Sequence, residues 1–266
     1  VSSLLTDAEA RHHALRLLEA RDSGVAIEPF TDAQPELGMA DGYAIQTHLV
    51  SALLERGETI AGYKLGLTSR PMQELLGVDS PDFGPVFAST VYADGAELAV
   101  DAFIAPRMEA EIGVVLAEDL AGPDCTTIDA RRATAGLVAA LEIVDSRIKD
   151  WRITLADTVA DLASNGAIAV SSNVVPIDSF DPRLLGMVFT RNGEVVATGA
   201  GAAAMGDPMA TVAWLANVLT PLGVTLPAGS IIMTGALHAM VPIAPGDVFR
   251  ADFDRLGPIT IRMASE

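Results

Sequence analysis

The rhythm of apolar and polar positions changes once along the chain, near residue 60. Ahead of that point, two stretches carry apolar residues at helical spacing. Thr6 or Asp7 is placed to cap a helix through "AEARHHALRLLEARDS", and Gly24 to stop it. A second helix is expected in "MADGYAIQTHLVSALLERG", ending at Gly57. Beyond it, short strand-like runs dominate: "TIAGYKLGLTS", then strand, turn and strand in "GPVFASTVYADGAELAV". Between these, "SRPMQELLGVD" predicts a short helix with Pro71 near its start.

Further helices are expected from about Thr127 and in "TLADTVADLAS", with a strand in "LVAALEIVDSRI". "LGMVFTRNGEVVATG" reads as a hairpin, because Asn192-Gly193 suits a type I′ turn. Asp207 as N-cap and Pro208 in the first turn open a helix through "DPMATVAWLANVLTPLG". "SIIMTG", "DVFRADF" and "PITIRM" supply closing strands. The expected class is α+β: a helical N-terminal region, residues 1–60, then a mixed β-rich domain with inserted helices, residues 61–266.

One strand breaks its own pattern. "PRMEAEIGVVL", residues 106–116, should bury Ile112, Val114 and Leu116, yet it carries Glu109 and Glu111 two residues apart. Residues i and i+2 of a strand share a face, so both carboxylates point the same way. Like charges on a partly buried face repel unless a cation lies between them or one takes a proton. Glu142, in "GLVAALEIVDSRI", has apolar neighbours on both sides, and a bare buried carboxylate costs several kcal/mol. Three carboxylates without His or Cys form a hard oxygen set that suits Mg²⁺ or Mn²⁺ better than Zn²⁺ or copper. Pairing of Glu109 and Glu111 with Arg107, Arg147 or other surface bases is the alternative that spacing leaves open.

Lys64 is the sole charge in "IAGYKLGLTS", as a buried lysine of shifted pKa or one snorkelling from an edge strand. Asp79, in "LGVDSPDFG", reads by itself as a turn residue. His238 lies in a loop that could reach a site, but nothing nearby makes it a base. "GAGAAA", residues 199–204, mimics a dinucleotide fingerprint, but it follows the return arm of a hairpin and lacks the acidic residue about 20 positions on.

Composition narrows the classes. With 35 acidic against 17 basic residues, a net charge of −18 argues against nucleic acid and anionic membrane as partners. Residues 208–246 contain no Asp, Glu, Lys or Arg, but Pro221, Gly223, Pro227 and Gly229 cut them into pieces too short for the ~20 residues of a membrane span. They read as buried core. A single cysteine, Cys125, cannot form an internal disulfide, and the N-terminus lacks the pattern of a signal peptide; a cytoplasmic protein is expected.

Taken together, "YKLGLTS", "LGVDSPDFGPVFA", "PRMEAEIGVVL", "ALEIVDSRIKDW", "DTVADLAS" and "IIMTGAL" resemble, in order, the motifs of the 2-keto-4-pentenoate hydratases. These belong to the fumarylacetoacetate hydrolase superfamily and act in aromatic meta-cleavage catabolism. The resemblance implies that Glu109, Glu111 and Glu142 ligate Mg²⁺ or Mn²⁺. It places Lys64 and Asp79 beside a small dienoate or 2-oxo acid substrate, with Ser164 holding its carboxylate. It also implies a homo-oligomer. Two positions depart: Leu162 stands where the family has Asn, and His238-Ala239 where it has Gly-Pro. A sister decarboxylase acting on 2-oxo-3-hexenedioate is the nearest alternative activity, and a non-catalytic partner subunit the alternative from another class.

Overall fold

A computed structural model describes residues 3–70, 73–74 and 78–265, and in it the change of rhythm is a change of architecture. Helix α1 (Asp7–Ser23) opens with a reciprocal cap, in which Thr6 Oγ1 accepts the Glu9 N–H and the Glu9 carboxylate accepts that of Thr6. It stops at Gly24, whose φ of 68° favours glycine. After the single turn of α2 (Phe30–Ala33), α3 (Met39–Glu55) packs back on α1. Leu17, Leu18, Phe30, Ile45, Leu49 and Leu53 form a small core, which Phe87, Ile148 and Leu162 complete from the β region. Full burial of each large aliphatic is worth roughly 1.5–3 kcal/mol, so this contact fixes the helices on the β region.

The larger sheet contains β1 (Ile60–Gly66), β2 (Asp82–Phe87), β3 (Val91–Ala93), β5 (Arg107–Leu116), β6 (Thr134–Val144), β7 (Asn165–Val170), β10 (Ile231–Met233) and β11 (Val241–Pro242). Its order is β2-β1-β10-β5-β6-β7-β3, with β11 beside β5. The smaller sheet runs β4-β13-β12-β8-β9, from β4 (Glu97–Leu98), β8 (Gly186–Arg191), β9 (Glu194–Ala200), β12 (Val248–Phe253) and β13 (Gly257–Met263). Parallel and antiparallel pairs mix in both, so the class is α+β as expected.

The main core lies between the two sheets. Met108, Ile112, Val114 and Leu116 of β5 and Leu137 and Leu141 of β6 meet Phe189, Phe249, Ile259 and Ile261. The larger sheet also curls, bringing β2 against β7 although four strands separate them in hydrogen-bonded order. Its second face is therefore turned inward as well.

Several local expectations hold. Asn192 and Gly193 both take positive φ in the β8–β9 turn, as a type I′ turn requires, and "GAGAAA" begins on β9. Asp207 accepts the Met209 N–H ahead of α6 (Pro208–Leu219), which packs on α4 (Thr127–Ala133). Among the described residues no helix is long and apolar enough to cross a membrane. The short helix expected in "SRPMQELLGVD" lies partly outside the described residues. The helix expected in "TLADTVADLAS" is cut short: α5 (Leu155–Ala160) gives way to a left-handed turn at Leu162–Ser164, then to β7, a strand not anticipated.

Candidate metal and substrate site

Cross-strand register assembles the site. Antiparallel pairing of β5 with β6 sets Glu109 opposite Glu142, and the two-residue period puts Glu111 on the same face. One carboxylate oxygen from each of the three lies within 4.8 Å of the others. Met233 of β10 stands opposite both Gly113 of β5 and Lys64 of β1, so Lys64 shares that face. Pairing of β1 with β2 then adds Asp82, opposite Gly66, where a Cβ would lie only 2.1 Å from Asp82 Oδ1. Glycine leaves the aspartate its room. Met108, Ala110 and Ile112 point the other way, into the core between the sheets.

The cluster is buried and mostly unpartnered. Glu111 and Glu142 are fully inaccessible, while Glu109 keeps part of its surface open to solvent. Lys64 Nζ sits 3.4 Å from Glu142 Oε1 and donates to the Ala163 carbonyl at 2.9 Å. Glu111 Oε2 accepts the Gly235 N–H at 2.8 Å. Four further oxygens, Asp82 Oδ1, Glu111 Oε1 and both of Glu142, find no hydrogen-bond partner among the described residues. Buried acceptors left in that state cost about 1–3 kcal/mol each.

The electrostatics follow from crowding. Burial, then the charge of Glu142, pushes the Glu109 carboxyl up to about 8. Glu111 is raised well above the ordinary range by burial and by its two glutamate neighbours. Burial likewise raises Glu142 and Asp82, with Lys64 opposing the rise in each. For Lys64 itself burial acts to lower the pKa, but the summed attraction of Glu142, Asp82, Glu109 and Glu111 outweighs it. One ammonium cannot neutralise four carboxylates. Orphaned hard oxygens with no nitrogen or sulfur ligand among them fit a divalent cation of the Mg²⁺ or Mn²⁺ kind.

The arginines offered as alternative partners are engaged elsewhere. Arg147 pairs with Asp161, and the Arg107 guanidinium lies over the Trp151 ring at 4.5 Å. The snorkelling alternative for Lys64 is corrected too, since its side chain is only 5% exposed.

Asp79 requires a correction of place. It is exposed, in a bend, whereas the carboxylate beside Lys64 belongs to Asp82, three residues on. Strand β2 starts at Asp82, so Asp82 is the first residue of "VDSPDFG" to which pairing with β1 assigns a face. Pro81, marking the end of the turn, was the available signal.

Ser164 is buried, one residue from the carbonyl that holds Lys64, with its Oγ 3.0 Å from Thr158 Oγ1. Leu162 points into the small helical core, which accounts for an apolar residue at that departure. His238 completes the edge of β5: Nε2 accepts the Ala110 N–H at 3.0 Å, Nδ1 donates to the Ala239 carbonyl at 2.7 Å, and the ring stacks on Phe189. Burial lowers its pKa, so it serves here as a neutral prop between the two β5 glutamates. The Cys125 thiol is pushed up by burial and by Asp129, as befits an unreactive side chain.

Comparisons with known proteins bear on this arrangement. Residues 58–264 match the family model described as fumarylacetoacetate (FAA) hydrolase C-terminal. A 2-keto-4-pentenoate hydratase of Paraburkholderia xenovorans (strain LB400) is 40% identical over 261 residues, covering 98% of this chain and 97% of that protein. A 2-hydroxyhexa-2,4-dienoate hydratase of Comamonas testosteroni is 40% identical over 249 residues, covering 93% and 94%. Among solved structures, 4-oxalocrotonate decarboxylase from Pseudomonas putida G7, complexed with magnesium and adipate, superposes with a TM-score of 0.95 at 35% identity, covering 98% of this chain and 100% of that one.

Proposed function

Because the chain belongs to the fumarylacetoacetate hydrolase family, we propose that it is a hydratase, adding water to 2-hydroxypenta-2,4-dienoate to give 4-hydroxy-2-oxopentanoate. The observation that carries this reading is the cluster of orphaned glutamate oxygens faced by a single buried lysine. The full-length relatives named as hydratases support it. Glu109, Glu111 and Glu142 would hold the cation. When bound, such a cation supplies a Lewis acid for the negative charge that develops on the substrate's C2 oxygen.

The remaining work belongs to the chain's own groups. Ser164 Oγ donates to the substrate carboxylate, with the Thr158 hydroxyl orienting it. Hydration needs two proton deliveries. Ketonisation moves the enol proton to C5, leaving an α,β-unsaturated ketone. Water then adds at C4, and its second proton goes to C3. Lys64 and Asp82 share the face and are the two proton carriers. Burial raises the Asp82 carboxyl above the ordinary carboxylate range against the pull of Lys64, which favours its proton-bearing form. The curl of the sheet shields these steps from bulk water.

The similarity to a decarboxylase makes that activity the second reading. A dicarboxylate such as 2-oxo-3-hexenedioate would want a cation at its far end. Among the described residues the buried cations are Lys64 and Arg147; the first is engaged by Glu142 and Ala163, the second by Asp161. This favours an uncharged tail, hence hydration. A non-catalytic subunit is disfavoured, because Lys64, Asp82 and all three glutamates are in place.

The test is to add protein to freshly made 2-hydroxypenta-2,4-dienoate with Mg²⁺ or with EDTA, follow the dienol absorbance, and identify the product by NMR. Metal-dependent formation of 4-hydroxy-2-oxopentanoate, abolished in Glu109→Ala, is expected. Release of CO₂ from 2-oxo-3-hexenedioate with no hydration of the dienoate would transfer the chain to the decarboxylase reading.

A further inference from the structure

Three consecutive residues, Leu162, Ala163 and Ser164, adopt left-handed backbone at φ 57°, 52° and 56°, and none is glycine. Such residues usually occur singly, and a run persists only where its surroundings over-determine it. Here the surroundings are identifiable. The Arg147 guanidinium reaches across the turn: Nε donates to Asp161 Oδ1 at 2.5 Å, Nη2 to the Asp161 carbonyl at 2.8 Å, and Nη1 to the Asn165 carbonyl at 2.9 Å. It therefore ties the residue before the turn to the residue after it. The Arg147 N–H closes on Asp161 Oδ2 at 2.8 Å, and the Asp145 N–H takes up the Ser164 carbonyl at 2.9 Å. From the opposite side β2 presses on the turn, since a Cβ on Gly84 would lie 2.1 Å from the Leu162 carbonyl oxygen.

What the turn presents is what the chemistry uses. Its middle carbonyl, on Ala163, accepts from Lys64 Nζ, and its last residue is Ser164. Relaxation to ordinary backbone would swing both away.

We infer that Arg147 and Asp161 are positioning residues for the reaction, their ion pair stapling the left-handed turn that sets Lys64 and Ser164; the inference rests on the hydratase reading of that site. Arginine is required because its planar fork can serve a side chain and two carbonyls at once, which the single ammonium of lysine cannot. The three glutamates stand on β5 and β6, outside the staple, so metal binding should be indifferent to it.

The experiment uses Arg147→Lys, which keeps the charge but not the fork, and Gly84→Ala, which displaces the turn from the other side with the ion pair intact. Each is assayed for dienoate hydration, for exchange of C3 deuterium from D₂O into 2-oxopentanoate by NMR, and for Mn²⁺ affinity by electron paramagnetic resonance. Both variants should lose kcat in each assay by roughly 30- to 100-fold, the scale of a 1 Å misplacement, with Mn²⁺ affinity unchanged. Wild-type kcat in folded variants would overturn the inference. So would a kcat loss matched by lost Mn²⁺ binding, or unfolding of both variants, either of which would assign the staple to the fold alone. A wild type that exchanges C3 but does not hydrate the dienoate removes the hydratase reading and leaves the staple to be judged on exchange. A wild type inert in both assays overturns the two together.

Discussion

Among the described residues two ionic clusters are buried, and they are built on opposite terms. Around Arg147, each guanidinium nitrogen and both Asp161 oxygens have partners, and Asp145 receives the Ile104 and Ala105 N–H groups. Around Glu142, one lysine faces four carboxylates and four oxygens lack a partner. Burial sets the largest shift in both places. It lifts Asp161 to about 6 against the pull of Arg147, and Glu109 to about 8 with the repulsion of Glu142 added. A saturated cluster shapes its surroundings. An unsaturated one is kept for something it has yet to bind.

The comparison breaks most sharply in Glu111→Gln. Removing one of the three proposed ligands should cost activity by more than the about 10- to 100-fold typical of losing an outer-shell partner of a metal. Metal-free stability should change by less than about 1 kcal/mol, because burial and the two neighbouring glutamates already disfavour the charged form there. Urea unfolding in EDTA, read beside the dienoate assay, separates the two. In the other cluster the order reverses: Arg147→Met should lose about 3–5 kcal/mol of stability by stranding Asp161 among buried neighbours. Equal stability losses in the two variants would refute the distinction.

Metal and pH sharpen it further. The folded pKa of Glu109 lies above its ordinary 4.5, so the metal-free protein holds extra protons and loses stability as pH rises from about 4.5 through about 8. A cation must displace those protons, so Mg²⁺ affinity should rise with pH through about 8. At 100 times its Kd the metal should add about 2.7 kcal/mol. Calorimetry in two buffers of different ionisation enthalpy counts the protons released, and a count of zero would contradict this account.

The smallest expected effect lies beside the cluster. His238→Ala leaves the Ala110 N–H unpartnered at a cost of about 1–2 kcal/mol. Because the folded pKa of His238 lies below its ordinary 6.5, the wild type should lose stability as pH falls below about 6.5, an increment absent from the variant. Thermal melts from pH 5 to 7 provide the measurement.

Much of this was legible along the chain. The caps of α1 and α6, the Asn192-Gly193 turn and the alternation of β5 are written in adjacent residues and recur in the fold. Glu109, Glu111 and Glu142 stood out because charges interrupt apolar runs. Asp79 and Asp82 lie in one Pro/Gly-rich stretch, where Pro81, closing the turn, is the sole local sign that the strand begins at Asp82. The left-handed turn carries no such sign. "LAS" contains no glycine or asparagine to announce it, and its cause is a guanidinium from another segment.

By itself the sequence determined the period of most elements, though not of β7, the positions of the caps of α1 and α6, and the presence of charges where apolar residues belonged. Those depend on one stretch of backbone and its immediate neighbours. Only the tertiary structure decided which charges meet. Register across β6, β5, β10, β1 and β2 brings Glu142, Glu109, Glu111, Lys64 and Asp82 onto one inward face, and curl closes that face against β7. The physical reason is range. Alternation follows from the pleat of a single strand, whereas the energy of a buried charge depends on partners that pairing delivers from far along the chain.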